Sequence, residues 1–262
     1  MREADLDAIY RELRQHNKIA DTDLTGLSFD EATLESKHFD NCTAADGRFV
    51  GGDLLSSAWT KCRFTKCQFS NLNLAGARFE NCRFFDSESR SGCLFRFCDL
   101  RGATFENCDL TMSTFFVCEL CDVRFADCRM SGITFEKPSF AFTSRGAARL
   151  KRPVRLAGSF ERCNVTNAII KSSDFSSLKI IDCNLANAEL EGTLFVNSSL
   201  RGTNLTNASL RMADLPGADL RGADLSGLDL NELQSFSGMQ VSASQQHHLL
   251  RSIGVDVFPD GD

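Results

Sequence analysis

The residues best equipped for chemistry in this chain are twelve cysteines and the adjacent pair His247-His248. Their spacing argues against a reactive centre. Eleven of the cysteines fall two places before a large apolar residue in a five-residue pattern. Several form sets twenty residues apart: Cys42/Cys62/Cys82, Cys98/Cys118, Cys108/Cys128 and Cys163/Cys183. A buried free cysteine behaves as a small hydrophobe, so this placement reads as packing. Cys121 alone is expected to face outward. With Cys118 it makes a C-x-x-C, but the two side chains should take opposite sides of one wall, and no second pair completes a zinc site. Stacked cysteines are also poorly aimed at one another for disulfides. His247 and His248 are neighbours on a short helix and so share no face. With no glycine-rich phosphate loop, nucleophile elbow or paired-carboxylate constellation, the expectation is a non-enzymatic chain with no catalytic residue, cofactor or metal.

The elements that place these cysteines follow from the period. From Leu24 to Phe84 a large apolar residue recurs every fifth position, among them Phe39, Phe49, Trp59, Phe64 and Phe79, with Ala44 as the weak member. The pattern slips by one and resumes from Phe95 to Phe140, then from Phe160 to Leu230. Two residues before each sits a small one, such as Cys62, Ala77, Thr203 or Ala218. A period of five suits neither an amphipathic helix nor a half-buried strand. It fits a coil in which each side is one pentapeptide, large and small residues both pointing inward. Residues twenty apart then stack: Phe95, Phe115, Phe135, Phe175 and Phe195 in one expected column, Leu110, Met130, Leu150, Ile170 and Leu190 in another. About ten coils at a strand spacing of ~4.8 Å would make a rod about 48 Å long. Asn164/Asn184/Asn204 and Asn167/Asn187/Asn207 form two ladders expected to hydrogen-bond along it.

Stretches such as Ala218-Asp219-Leu220-Arg221-Gly222-Ala223-Asp224-Leu225 carry the A-(D/N)-L-x-x signature, and the chain over roughly residues 22–230 resembles the pentapeptide-repeat family. The resemblance implies an all-β solenoid, a right-handed quadrilateral β-helix with four pentapeptides to a coil. A solenoid needs its ends covered. Residues 1–20 are read as an N-terminal capping helix (Leu6, Ile9, Tyr10 and Leu13 on one face), 21–232 as the repeat body and 233–262 as a C-terminal cap. In that cap Ser242 and Gln245 suit a capping box, Leu249, Leu250 and Ile253 supply an apolar face, Gly254 stops the helix, and Val255-Asp256-Val257-Phe258 is expected to form a short strand. This tail serves either as a plain cap or as a homodimer contact through Leu249, Leu250, Ile253, Val255, Val257 and Phe258.

Two breaks in the repeat are the places to look for function. Phe84 and Phe95 are eleven apart where the repeat gives ten, implying a one-residue bulge at 85–93. This segment resembles the first loop of the quinolone-resistance (Qnr) branch, of the form F-Y-D-x-E-S-x-x-G-C-x-F, matched at Asp86, Glu88, Ser89, Gly92, Cys93 and Phe95. The second break, 141–157, holds Arg145, Arg149, Lys151, Arg152 and Arg155 and no acid. Strict register would bury Arg145 and Arg155, and an unpaired buried charge is too costly. Residues 141–157 therefore form either an extruded turn or an irregular coil. Asp86, Glu88, Arg90 and the five basic residues of 141–157 are the expected partner-binding residues.

With a net charge of −6 and this basic segment, the rest of the chain is the more acidic. That disfavours direct nucleic-acid binding. The charged N-terminus shows no apolar signal segment and no run is long enough for a membrane span, so a cytoplasmic protein with reduced thiols is expected. The Qnr resemblance implies a dimeric, DNA-mimicking rod that binds DNA gyrase or topoisomerase IV and protects it from quinolone-type poisons. The competing expectation is an interaction scaffold with another target, in toxin immunity, secretion or regulation, using the rigid rod, the basic loop and an exposed Phe116.

Overall fold

The computed structural model describes residues 9–13, 15–27, 34–140, 158–256 and 258. They form a right-handed, four-sided parallel β-solenoid with helical ends. Its first face is an eight-stranded parallel sheet from Lys18–Ala20 through His38–Asp40, Ala58–Thr60, Arg78–Glu80, Thr104–Glu106, Arg124–Ala126 and Ser159–Glu161 to Lys179–Ile181. The second face is centred on Phe64, Phe84, Leu110 and Met130, and the third contains the five-stranded sheet centred on Phe49, Phe69, Phe95, Phe115 and Phe135. The fourth, held by single bridges such as Asp53↔Asn73↔Asp99↔Glu119, is centred on Leu54, Leu74, Leu100, Leu120, Phe140 and Phe175.

Three-residue sides cannot alternate for long, so each centres one large residue on the axis and turns at the corner. The corner residue two after the centre takes a left-handed backbone; Asn41, Asn71, Asn81, Asn107 and Asp127 all have φ between 51° and 55°. Asn, Asp and Gly tolerate that region best, which explains the polar and glycine-rich ends of the pentapeptides. Inside, like stacks on like. Phe39 lies 3.8 Å from Trp59 with planes 7° apart, and Phe95 lies 4.7 Å from Phe115 at 4°. Trp59 donates its indole N–H to Ser57 Oγ at 2.9 Å, so no polar atom of the ring is left bare in the core.

The first break is larger than the period suggests. Phe69 pairs with Phe95, Phe79 with Phe105 and Arg83 with Asp109, each 26 residues apart instead of twenty. The expected one-residue bulge is thus a six-residue insertion, projecting as a hairpin in which Phe85–Asp86 pairs antiparallel with Ser91–Gly92. At the second break Phe125 pairs with Phe160 and Arg129 with Asn164, 35 apart. Fifteen residues are therefore surplus to that coil, and the wall continues from Phe140 to Ser159–Glu161 without an irregular side; residues 141–157 themselves lie outside the described residues. The surplus also corrects the expected columns. Met130 is followed by Val165, Phe135 by Ile170 and Phe140 by Phe175, and Leu150 is outside the described residues.

The wall is longer than the repeat alone indicates. It begins at Lys18, and bridges Asp214↔Ser235 and Asp219↔Gln240 carry it past Leu230. At the N-terminal end residues 9–13 are helical; Leu13 is buried and Ile9 and Tyr10 pack partly on the core, while Leu6 is outside the described residues. At the other end a 3-10 turn, Ala243–Gln245, leads into the helix Gln246–Ser252. Gln245 ties the two together: its Oε1 accepts from the Ser242 amide, and its Nε2 donates to Leu220 O at 2.9 Å and Ala223 O at 2.8 Å. Gly254, at φ 83°, ends the helix. The expected strand after it is not formed at Val255, Asp256 or Phe258; Val257 is outside the described residues.

Candidate protein-binding surface

The cysteines are structural, and their stacking runs further than the sequence columns showed. Because paired positions lie 26 and 35 residues apart across the two breaks, Cys42, Cys62, Cys82, Cys108, Cys128, Cys163 and Cys183 form one ladder. Their thiols face wall carbonyls from inside: Cys62 Sγ donates to Phe39 O at 3.5 Å, Cys82 to Trp59 O at 3.2 Å and Cys108 to Phe79 O at 3.4 Å. Thr193 and Thr203 make the same contact with hydroxyls, to Ile170 O and Ile180 O. Burial pushes the Cys82 and Cys108 thiols up, away from the reactive thiolate. Cys121 is buried too, contrary to the outward position expected from its register. The Asn column also differs from expectation: Asn164, Asn184 and Asn204 accept from the backbone amides two residues on, within their own coil.

In the hairpin Asp86 is half-buried and engaged. It accepts from the Glu88 amide at 3.1 Å, the Ser89 amide at 3.3 Å and the Ser89 hydroxyl, and lies 3.7 Å from Lys66 Nζ. These bonds, led by the Ser89 hydroxyl, hold its carboxyl below the usual range. Glu88 and Arg90 are exposed at the tip. Gly92 lies directly against the next coil, where a Cβ would run into the backbone of Met112 and Ser113. The hairpin leaves between the second and third faces, whereas residues 141–157 follow the fourth, so the two breaks mark diagonally opposite edges. Arg145, Arg149, Lys151, Arg152 and Arg155 are outside the described residues.

A shallow depression of about 520 Å³ between the first and second faces is lined by Asn81, Arg83, Asn107, Asp109, Asp127 and Arg129. Three of its four charged groups already pair with one another or with a neighbour: Arg129 meets Asp109 at 3.1 Å, and Arg162 meets Asp127 at 2.7 Å.

Charge is distributed unevenly around the rod. The described outward positions of the first, second and third faces hold equal numbers of acidic and basic residues, many paired between coils. Lys18–Asp40 at 2.8 Å, Lys171–Glu189 at 2.6 Å and Arg211–Glu191 at 3.2 Å are examples. The fourth face carries Glu35, Asp53, Asp99, Glu119, Asp122, Asp174 and Asp214 against Arg101 alone. At Asp99 burial opposes the charged form, but the bonds from Arg101 outweigh it and hold the carboxyl below the ordinary range. Arg201 and Arg221 sit on the first face beside Asp219, and Arg211 on the third, so none interrupts this stripe. The period shows the charges but not their sides, because the two insertions rotate everything after them.

Of the six residues expected at a dimer contact, Leu249 is committed to its own core and Leu250 is half-buried. Ile253, Val255 and Phe258 are exposed, Phe258 at 76%. Phe236 joins them as an exposed apolar residue near the same end.

Eight copies of the pentapeptide-repeat model match the chain, over residues 56–88, 91–115, 183–222 and 198–232. These stretches of the wall are pentapeptide repeats. The repeat rod is similar to two solved structures of QnrB1, each described as a plasmid-mediated fluoroquinolone resistance protein. A trypsin-treated variant aligns with a TM-score of 0.71 at 21% identity, covering 92% of this chain and 100% of that one. The full-length form aligns with a TM-score of 0.71 at 22% identity, covering 91% and 100%. At this identity the likeness establishes the fold. No sequence among curated proteins matches the chain. Among the described residues no helix is long and apolar enough to cross a membrane, and no group of three or more His, Cys, Asp or Glu side chains could hold a metal ion.

Proposed function

We propose that this repeat rod is a cytoplasmic, non-enzymatic binding protein that mimics duplex DNA. It docks its acidic face on the DNA-binding surface of a type II topoisomerase, DNA gyrase or topoisomerase IV, and protects it from quinolone-type poisons. The acidic fourth face carries this reading. A straight row of carboxylates on a rigid support complements a basic DNA channel, and the fold shared with QnrB1 supports it. The exposed Ile253, Val255 and Phe258 suit a homodimer joined at the C-terminal ends. In a gyrase supercoiling assay with and without ciprofloxacin, the full chain should bind gyrase and restore supercoiling in the presence of the drug. No binding, inhibition or protection would end the topoisomerase reading.

A second reading, a scaffold for another basic partner protein, is favoured by one observation: an aromatic pair beside the acidic face, which charge mimicry alone does not need. Exposed Phe97 lies against Phe116, which is half-buried where the sequence suggested exposure.

A further inference from the structure

We infer that Phe97, Phe116 and Val117 form an apolar anchor at the edge of the acidic face, built to seat a partner protein that presents an apolar side chain beside arginine or lysine. The inference rests on the acidic face being the docking side and adds what holds the partner there.

Backbone conformation is the first argument. Phe97 and Val117 occupy the corner position, at φ 55° and 51°. Asn, Asp and Gly fill most comparable corners, with Ser, Lys, Arg or Met at others such as Ser56, Lys61, Arg162 and Met112; a β-branched or bulky residue in this region is an outlier. Strain of this kind persists where it serves a site. Burial repays it only in part, since Phe97 is 44% and Val117 37% exposed.

The cluster is also pre-organised. Phe97 and Phe116 meet edge to face at 5.5 Å, and the Arg96 guanidinium lies 5.0 Å from the first ring and 5.8 Å from the second. Two rings held by each other and by a cation lose little freedom on binding.

Charge identifies the occupant. The chain runs from Phe97 to Asp99, which Arg101 pairs, and from Val117 to Glu119 and Asp122, so the outward positions just beyond the cluster are acidic on balance. The acidic face alone is a sparse imitation of DNA. Its net charge over the eight strand spacings from Glu35 to Asp214 amounts to one charge per about 6 Å, against one per about 1.7 Å along duplex DNA. Charge attraction therefore needs a second contact to compete, and the anchor supplies it.

Two synthetic peptides test this by fluorescence anisotropy with the full chain. One is purely basic (Arg, Gly, Ser); the other has the same charge with an embedded Leu-Trp pair. The anchor predicts at least tenfold tighter binding of the second. The variant F97N/V117N should remove that preference, keep the affinity for the purely basic peptide and melt no lower than the parent, because Asn suits the corner. Equal affinities in the parent, an unchanged preference in the variant, a lowered melting temperature or a changed solution mass would each overturn the anchor, the last two by making the cluster packing or self-association. Neutralising the fourth face reports separately on the docking side: if binding of the purely basic peptide survives it, that reading fails whatever the anchor does.

Discussion

At the scale of single residues the rod is governed by what fits between coils. Gly92 has backbone against it on the neighbouring coil. Gly92→Ala should therefore lower stability by about 1–3 kcal/mol in chemical denaturation, the usual cost of forcing atoms into a packed site; an unchanged midpoint would show that the coils can part there. Cys108 fills a small inward position and donates to Phe79 O. Cys108→Ala should cost about 1–2 kcal/mol through the lost contact and small void. Cys108→Ser, which keeps a donor as Thr203 does, should cost less. All twelve thiols are free and buried, so a thiol reagent should label the native protein slowly and the denatured protein completely. Fast labelling before unfolding would contradict the sealed core. The structural role of eleven cysteines was legible because their spacing tied them to the apolar pattern. The burial of Cys121 was not, since its register position is an outward one. Gly92 was recognised through its segment, but the reason only glycine fits there is a contact between residues twenty apart.

At the scale of elements, the strands and their order follow from the five-residue period, and the insertions show where that legibility stops. A period reports position only modulo its own length. Six extra residues at 85–92 leave the same trace as one, and fifteen at 141–157 leave none, so neither size nor side could be read. Side-chain bonds that span coils were equally hidden, and they hold the ends. Replacing Gln245 with Ala removes its bonds to Leu220 O and Ala223 O. Amide exchange in Gln246–Ser252 should then accelerate well beyond that in the repeat body; equal protection would mean that the helix packs without its tie. The carboxyls of Asp86, Asp99, Asp127 and Asp219 all lie below the ordinary aspartate value of about 3.9. Groups of this kind stabilise the fold above that value and lose the contribution as pH falls through the lower folded value. The melting temperature should therefore be level from neutral pH down to about 5 and decline below about 4. A melt unaffected by acid would show that these pairs contribute nothing.

At the scale of the whole molecule, three faces cancel their charges and one does not, and that asymmetry is the functional claim. The net charge in the composition could not reveal it, because sidedness depends on both insertion lengths. The exposed residues at the C-terminal end add a prediction of their own. Light scattering should give a dimer, and Phe258→Ser should shift it toward monomer; a parent that is already monomeric would remove the end contact. The most direct measurement compares two charge-neutralised rods in competition with DNA for gyrase. One carries Asp53→Asn, Glu119→Gln, Asp122→Asn and Asp214→Asn on the fourth face. The other carries Asp40→Asn, Glu80→Gln, Glu106→Gln and Asp182→Asn on the first. These replacements keep an acceptor oxygen at each site and change the net charge equally. The fourth-face rod should lose at least tenfold in its ability to displace DNA while the first-face rod stays within about twofold of the parent, the discrimination expected of a directed charge pattern. Equal losses in the two would show that only net charge matters and would contradict the acidic face as the docking side.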